Sequence, residues 1–154
     1  MDESRTRIPF RKNCSAESLW SRRQGCNTND GSPWMTPREE GIENTLLQAI
    51  ADGRKCLVPY ITGGFEGYLE AISAAAEAGA NAIEIGIPFS DPVMDGPTIQ
   101  AANDMVLSDG ITPLQIINEI ASLDVDIPLA VMTYYNVVYR FGLERFASNL
   151  SEAG

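Results

Sequence analysis

The sequence predicts an α/β fold built on a parallel sheet, and three observations carry that prediction. Short apolar runs rich in β-forming residues occur three times, each followed by a segment with helical spacing of its apolar residues. These runs alternate only weakly between apolar and polar positions, the pattern of strands buried on both faces. Glycines and a Thr-Pro pair sit at the boundaries, where helices stop and start.

The first element is a helix in which Ile42, Leu46, Leu47 and Ile50 form the apolar face and Gly53 provides the stop. Leu57 to Ile61 follows as the first strand. Pro59 argues against an internal strand unless its missing donor falls at a strand end or irregularity. Gly63-Gly64 is a turn. Tyr68 to Ala78 is a helix with Leu69, Ile72 and Ala76 on one face, capped by Gly79, and Ala82 to Ile85 is the second strand. Beyond a Gly/Pro-rich loop, Ile99 to Leu107 reads as a helix ended by Asp109-Gly110. Thr112 is an N-cap and Pro113 a first helical residue, opening a helix through Ile116, Ile117, Ile120 and Leu123. Pro128 introduces a third strand from Leu129 to Tyr134. A last helix runs from Leu143 to Ala153, with Gly154 in the position of a C′ glycine. Three parallel strands are too few to close a barrel, so the chain reads as part of a larger fold.

Charge divides the 154 residues unevenly. Residues 1–40 hold seven basic and six acidic side chains, whereas residues 41–154 hold four basic and fifteen acidic ones. A domain so acidic repels nucleic-acid phosphates and anionic membrane surfaces, so neither is an expected partner. No run approaches the roughly 18–20 apolar residues that span a bilayer, and no apolar segment near the N-terminus supports a secretory signal. Three cysteines, Cys14, Cys26 and Cys56, form no CxxC pair. An odd count fits a reducing cytosol, which makes the cytoplasm the expected location, and Cys56 is expected as a buried free thiol. Residues 1–38, rich in Arg, Ser, Asn and Gly without sustained periodicity, read as a disordered extension. Residues 39–154 read as the folded part. Asp2, Glu3 and Glu17 argue against a transit peptide, and Met35 is an alternative start.

Chemistry is concentrated between residues 84 and 100. With no histidine in the chain, proton transfer near neutral pH falls to carboxylates, water, Tyr, Lys or Cys. Glu84 lies between Ile83 and Ile85 on a strand expected to be buried, where a carboxylate is costly unless hydrogen-bonded or used in chemistry. Satisfying nearby backbone donors is the equal alternative. Asp95 precedes Gly96-Pro97, and Asp91 precedes Pro92; both have turn formation or helix capping as the structural alternative. Tyr60 and Tyr134 fall at or near strand C-termini, as Glu84 does, and in parallel α/β folds ligands bind at that end. Each is either a pocket wall or core packing.

The run Glu84-Ile85-Gly86-Ile87-Pro88-Phe89-Ser90-Asp91-Pro92-Val93-Met94-Asp95-Gly96-Pro97-Thr98-Ile99-Gln100 closely resembles the signature of the tryptophan synthase alpha subunit family. Leu57 to Gly64, Ala78 to Ala80, Met132 to Asn136 and Phe141 to Phe146 extend the resemblance, which covers residues 56–154. It implies the N-terminal portion of a (β/α)₈ TIM barrel, about three strand–helix units after an N-terminal helix. It also implies a lyase that cleaves indole-3-glycerol phosphate to indole and glyceraldehyde 3-phosphate in tryptophan biosynthesis. The family delivers indole to a beta subunit, which uses pyridoxal phosphate, within a heterotetramer. No cofactor and no metal is expected on this chain itself. Carried onto matching positions, Glu84 resembles the general acid/base and Asp95 the acid that pairs with the indole N–H. Tyr60, where members often have Phe, and Tyr134 match substrate-binding positions. Pro88, Asp91 and Asn136 fall where the alpha subunit meets the beta subunit.

Two departures accompany the resemblance. Gly63-Gly64-Phe65-Glu66 stands where many members have a Gly-Asp-Pro turn. The phosphate-binding loops of the family would lie beyond Gly154, so this chain is expected to be inactive alone. The alternative is a non-catalytic fragment or interaction module that binds a beta subunit or a complementary C-terminal half.

Overall fold

The structure, a computed structural model, describes residues 37–154. In chain order the elements are α1 (Pro37–Ala51), β1 (Tyr60–Thr62), α2 (Tyr68–Glu77), β2 (Ile83–Gly86), α3 (Pro97–Ser108), α4 (Pro113–Ile120), β3 (Leu129–Met132), α5 (Tyr135–Phe141) and α6 (Leu143–Ala153). The strands form one parallel sheet in the order β1-β2-β3. Tyr60 lies opposite Glu84 and Thr62 opposite Gly86; Ile83 lies opposite Leu129 and Ile85 opposite Val131.

That register sorts side chains onto two faces, because successive strand residues point to opposite sides. Ile83 and Ile85 are fully buried and join Tyr68, Ile72, Ile116 and Ile120 in the main core, with Ile61 and Leu129 packed against it. A second cluster of Ile87, Ile117 and Phe146 takes up Val131 and Leu150. The odd-numbered strand residues therefore face the helices. Tyr60, Thr62, Glu84, Gly86, Ala130 and Met132 share the other face.

The expectation of strands buried on both faces is corrected here. Thr62 and Gly86 are buried on the face opposite the main core, whereas Tyr60, Glu84 and all four residues of β3 are half-buried. The first strand also starts later than predicted. Pro59 lies before it, and the carbonyls of Leu57 and Pro59 accept from the backbone of Asn81 at 2.8 Å and Glu84 at 2.9 Å. Proline's missing N–H thus falls where only its carbonyl is used. The third strand ends at Met132, and α5 follows at once, a helix for which the sequence reading had no element.

In α1 the inward stripe runs through half-buried Ile42, Thr45 and Leu46 and buried Ala49, spaced as one helical face, while Leu47 and Ile50 are 56% and 62% exposed. Choosing the largest apolar residues had rotated the predicted face. Cys56, expected to be buried, is exposed; it lies in the turn region before β1, and its Sγ approaches the Leu46 carbonyl at 3.7 Å. Helix α4 ends at Ile120 rather than continuing to Leu123, which follows in a turn and still packs on the core. Other boundaries agree closely. The Thr112 hydroxyl accepts from the Gln115 amide at 3.3 Å, and α6 spans Leu143–Ala153 as predicted.

The turn after β1 is made by Gly64 at φ +80°, where an added Cβ would also come within 2.8 Å of Ile111 and Val106 side-chain carbons. Helices α2 and α4 are tied by the Tyr68 hydroxyl, which donates to the Glu119 carboxylate. Burial, and then that hydrogen bond and the carboxylate's charge, push the Tyr68 phenol well above the ordinary tyrosine value. A phenol raised in the folded state stabilises below its unfolded value, about 10, and that contribution is lost as pH climbs beyond it. Denaturant unfolding at pH 9 to 11 should therefore show an alkaline loss of stability that is smaller in Tyr68→Phe. At neutral pH the same variant should be about 1 kcal/mol less stable.

Candidate active site

The C-terminal end of the sheet is prolonged by two backbone bonds past the regular ladder. The Gly63 amide donates to the Gly86 carbonyl at 2.8 Å, and the Ile87 amide to the Met132 carbonyl at 2.9 Å. They carry the chain from β2 into the loop that bears Asp91 and Asp95. Glu84 is mounted on the middle strand, held by neighbours on both sides.

The loop is built rather than slack. Val93 and Asp95 amides donate back to the carbonyls of Asp91 at 2.9 Å and Pro92 at 3.0 Å. The Gln100 side chain, reaching from the first turn of α3, donates to the Asp95 carbonyl at 2.8 Å and the Pro92 carbonyl at 3.4 Å. From the other side, the Met94 amide donates to the Tyr134 hydroxyl at 3.1 Å, and the Tyr134 ring stacks on Phe89 at 5.0 Å between centroids. Proline opens α3, and its N-cap is Gly96, with no side chain capping the helix. Asp95 does not serve as that cap, so the capping alternative is not the one realised. It is half-buried.

Tyr60 brings the parts together. Its phenol is raised above the ordinary value, first by burial; a hydrogen bond with Thr62 works against the rise, and the charges of Asp95 and Glu84 and the neighbouring Tyr134 add to it. The charges of both carboxylates, and the neighbouring Tyr134, thus bear on the Tyr60 phenol, on the strand face opposite the main core. A carboxylate on a strand and another on a pinned loop, flanking an aromatic wall, can move a proton at one end of a flat ligand and oppose positive charge at the other.

Of the remaining predicted residues, Asp91 and Asn136 are exposed, Asn136 near the start of α5, while Pro88 is buried beneath the loop. The sequence reading passed over three contributors. Thr62 shares a face with Tyr60 by its two-residue spacing, which was a usable signal. Gly86 lies within the quoted signature without a role having been given to it. Gln100 had no signal beyond its place in that signature, because a side chain reaching back to loop carbonyls leaves no periodic trace.

Tyr134→Phe should release the Met94 amide. Hydrogen exchange at that amide should accelerate by about fivefold, the size of one hydrogen bond near 1 kcal/mol, with the core amides of Ile83 and Ile85 unchanged. Equal protection at Met94 in the variant would show that the loop does not depend on the phenol.

Comparison with known proteins gives a consistent result. The family model described as tryptophan synthase alpha chain matches residues 46–154. The tryptophan synthase alpha chain of Streptomyces avermitilis is 39% identical over 129 residues, covering 80% of this chain and 47% of the relative. That of Bacillus cereus strain B4264 is 46% identical over 119 residues, covering 74% and 46%. Among solved structures, tryptophan synthase subunit alpha from Legionella pneumophila aligns with a TM-score of 0.68 at 34% identity, over 73% of this chain and 45% of that one. An aminoacrylate-bound tryptophan synthase from M. tuberculosis aligns with a TM-score of 0.68 at 32% identity, over 73% and 48%. The chain spans about half the length of the curated relatives it matches.

Proposed function

The chain belongs to the tryptophan synthase alpha chain family, and from that premise we propose that it carries the proton-transfer half of an indole-3-glycerol phosphate lyase site. The fold is a part of the family's barrel, three parallel strands with their helices. The observation that carries the reading is the convergence of Glu84 and Asp95 on the Tyr60 phenol at the C-terminal end of the sheet, the end where barrels of this kind place their chemistry.

Retro-aldol cleavage breaks the bond between indole C3 and the glycerol carbon that carries a hydroxyl. The bonding electrons return to the ring, C3 gains a proton, and the hydroxyl loses one to become the aldehyde of glyceraldehyde 3-phosphate. Glu84, on the rigid strand, shuttles the proton. Asp95, on the pinned loop, opposes the positive charge that builds on the ring nitrogen. Tyr60 and Tyr134 supply the walls against which a flat ring rests. Pro88, Asp91 and Asn136 are the proposed contacts to a beta subunit; Asp91 and Asn136 are exposed, whereas Pro88 is buried.

A second reading, that the chain acts by docking onto a complementary half, draws on the half-exposed strand face and on β1 and β3 as outer strands of the described sheet. The two readings separate in one assay. The full chain alone should release negligible indole from indole-3-glycerol phosphate. Mixed with a polypeptide comprising the unmatched C-terminal half of the Bacillus cereus relative, it should become active. Glu84→Gln should then lower the rate by about 10²–10⁴-fold. Binding of that half without activity supports docking alone. Indole release by the unaided chain at a full-length relative's rate, or an active Glu84→Gln complex, overturns the catalytic reading.

A further inference from the structure

Gly86 is buried on the middle strand, and its φ lies outside the left-handed region, so its backbone makes no demand for glycine. The demand comes from a neighbour. A Cβ built on Gly86 would fall 1.9 Å from the Tyr60 hydroxyl oxygen, 2.4 Å from Cζ and 2.8 Å from Cε2. No carbon tolerates such distances to non-bonded atoms. The Tyr60 ring therefore lies directly across Gly86, in a gap that only the absence of a side chain leaves.

The sheet register explains how the ring arrives there. Tyr60 lies opposite Glu84, and Thr62 opposite Gly86, so a ring that leans from β1 toward the strand ends passes over the position after next on β2. Thr62, buried on the same face, works against the rise of the phenol's pKa. The ring ends within the influence of Asp95, Glu84 and Tyr134. Had position 86 carried even a methyl group, the phenol would have to swing off the sheet.

We propose that Gly86 is a positioning residue of this site: its missing side chain is the notch that seats the Tyr60 phenol across β2, where the ring forms a wall of the pocket for a bound aromatic ring. The role in ring binding rests on the function proposed above, whereas the seating of the phenol stands on the strand geometry alone. The clash is with the far end of a side chain that can rotate, so Gly86→Ala retains its strand and displaces Tyr60.

The test uses the full chain with ¹³C-labelled tyrosine, Tyr60 being assigned by its loss in Tyr60→Phe, and indole as the binding probe. In the unchanged protein the Gly86 α-protons should be shifted by the Tyr60 ring current, and the Tyr60 resonance should titrate above the ordinary tyrosine range. In Gly86→Ala, Tyr60 should titrate close to an ordinary tyrosine and indole should bind about five- to tenfold more weakly. In a Tyr60→Ala background the same substitution should change indole binding by less than about twofold, because the two positions act as one unit. Unchanged titration in Gly86→Ala, or an equal loss of affinity without the Tyr60 ring, overturns the proposal. A Gly86→Ala chain that does not fold leaves the ring-current shift in the unchanged protein to decide: its presence supports the notch and its absence overturns it. Failure of every form to bind indole removes the ring-pocket reading, while the titration still decides whether Gly86 seats Tyr60.

Discussion

The alternation of β2 is the constraint on which the rest of the molecule depends. Within four residues it must supply two isoleucines to the helix-covered core and place a carboxylate and a glycine on the opposite face. A slip of one residue in its pairing would exchange the two sets, sending Glu84 into the isoleucine core and the isoleucines outward. Burying an unpartnered carboxylate there would cost several kcal/mol. The hydrophobic pattern that stabilises the sheet therefore also aims the carboxylate proposed to move the proton, and one register serves both.

The second acid is held by a different principle. Asp95 has no strand to fix it, so its loop is tied by Gln100 on one side and by Tyr134 on the other. The Tyr134 ring is itself stacked on Phe89, from the same loop. A residue proposed as a pocket wall thus also forms a structural tie. Glycine at the helix N-cap leaves the Asp95 carboxylate outside the helix-capping role, which turn statistics alone would have favoured.

Legibility from sequence followed the same division. The helices α2 and α6 and the strand β2 were readable because periodicity and glycine stops coincide in them. Helix α1 was read with the wrong face, since a stripe closed by Ala49 and Thr45 is quieter than one drawn through Leu47 and Ile50. Helix α5 was not read at all, because its seven residues, Tyr135–Phe141, include no fully buried side chain, and only Val137, Val138 and Phe141 pack half-buried against the second cluster. Strand burial was over-read: an apolar run marks the face that meets the helices, and only the three-dimensional count of layers shows whether a second face is covered. In the site, residue types at Glu84, Asp95, Tyr60 and Tyr134 were visible. The fit of one residue into the space of another, as between Tyr60 and Gly86, needs the register and so stays invisible along the chain.

Charge gives the proposed reaction its division of labour. Residues 41–154 hold four basic side chains against fifteen acidic ones. Arg54 and Lys55 precede β1, at the end of the sheet away from the Asp95 loop, and Arg54 is paired with Asp52 at 3.3 Å. Arg145 lies over the Phe141 ring at 5.0 Å. Such a field disfavours a phosphate dianion and favours positive charge developing on an indole ring nitrogen, since potential at a site is set by the summed surrounding charge. In a complete barrel, phosphate sites sit on loops after the last strands and at helix N-termini. In the proposed reaction, separating the two tasks would let one half of the site stabilise a growing cation while the other holds an anion. Neither set of charges then has to be neutralised by its neighbour.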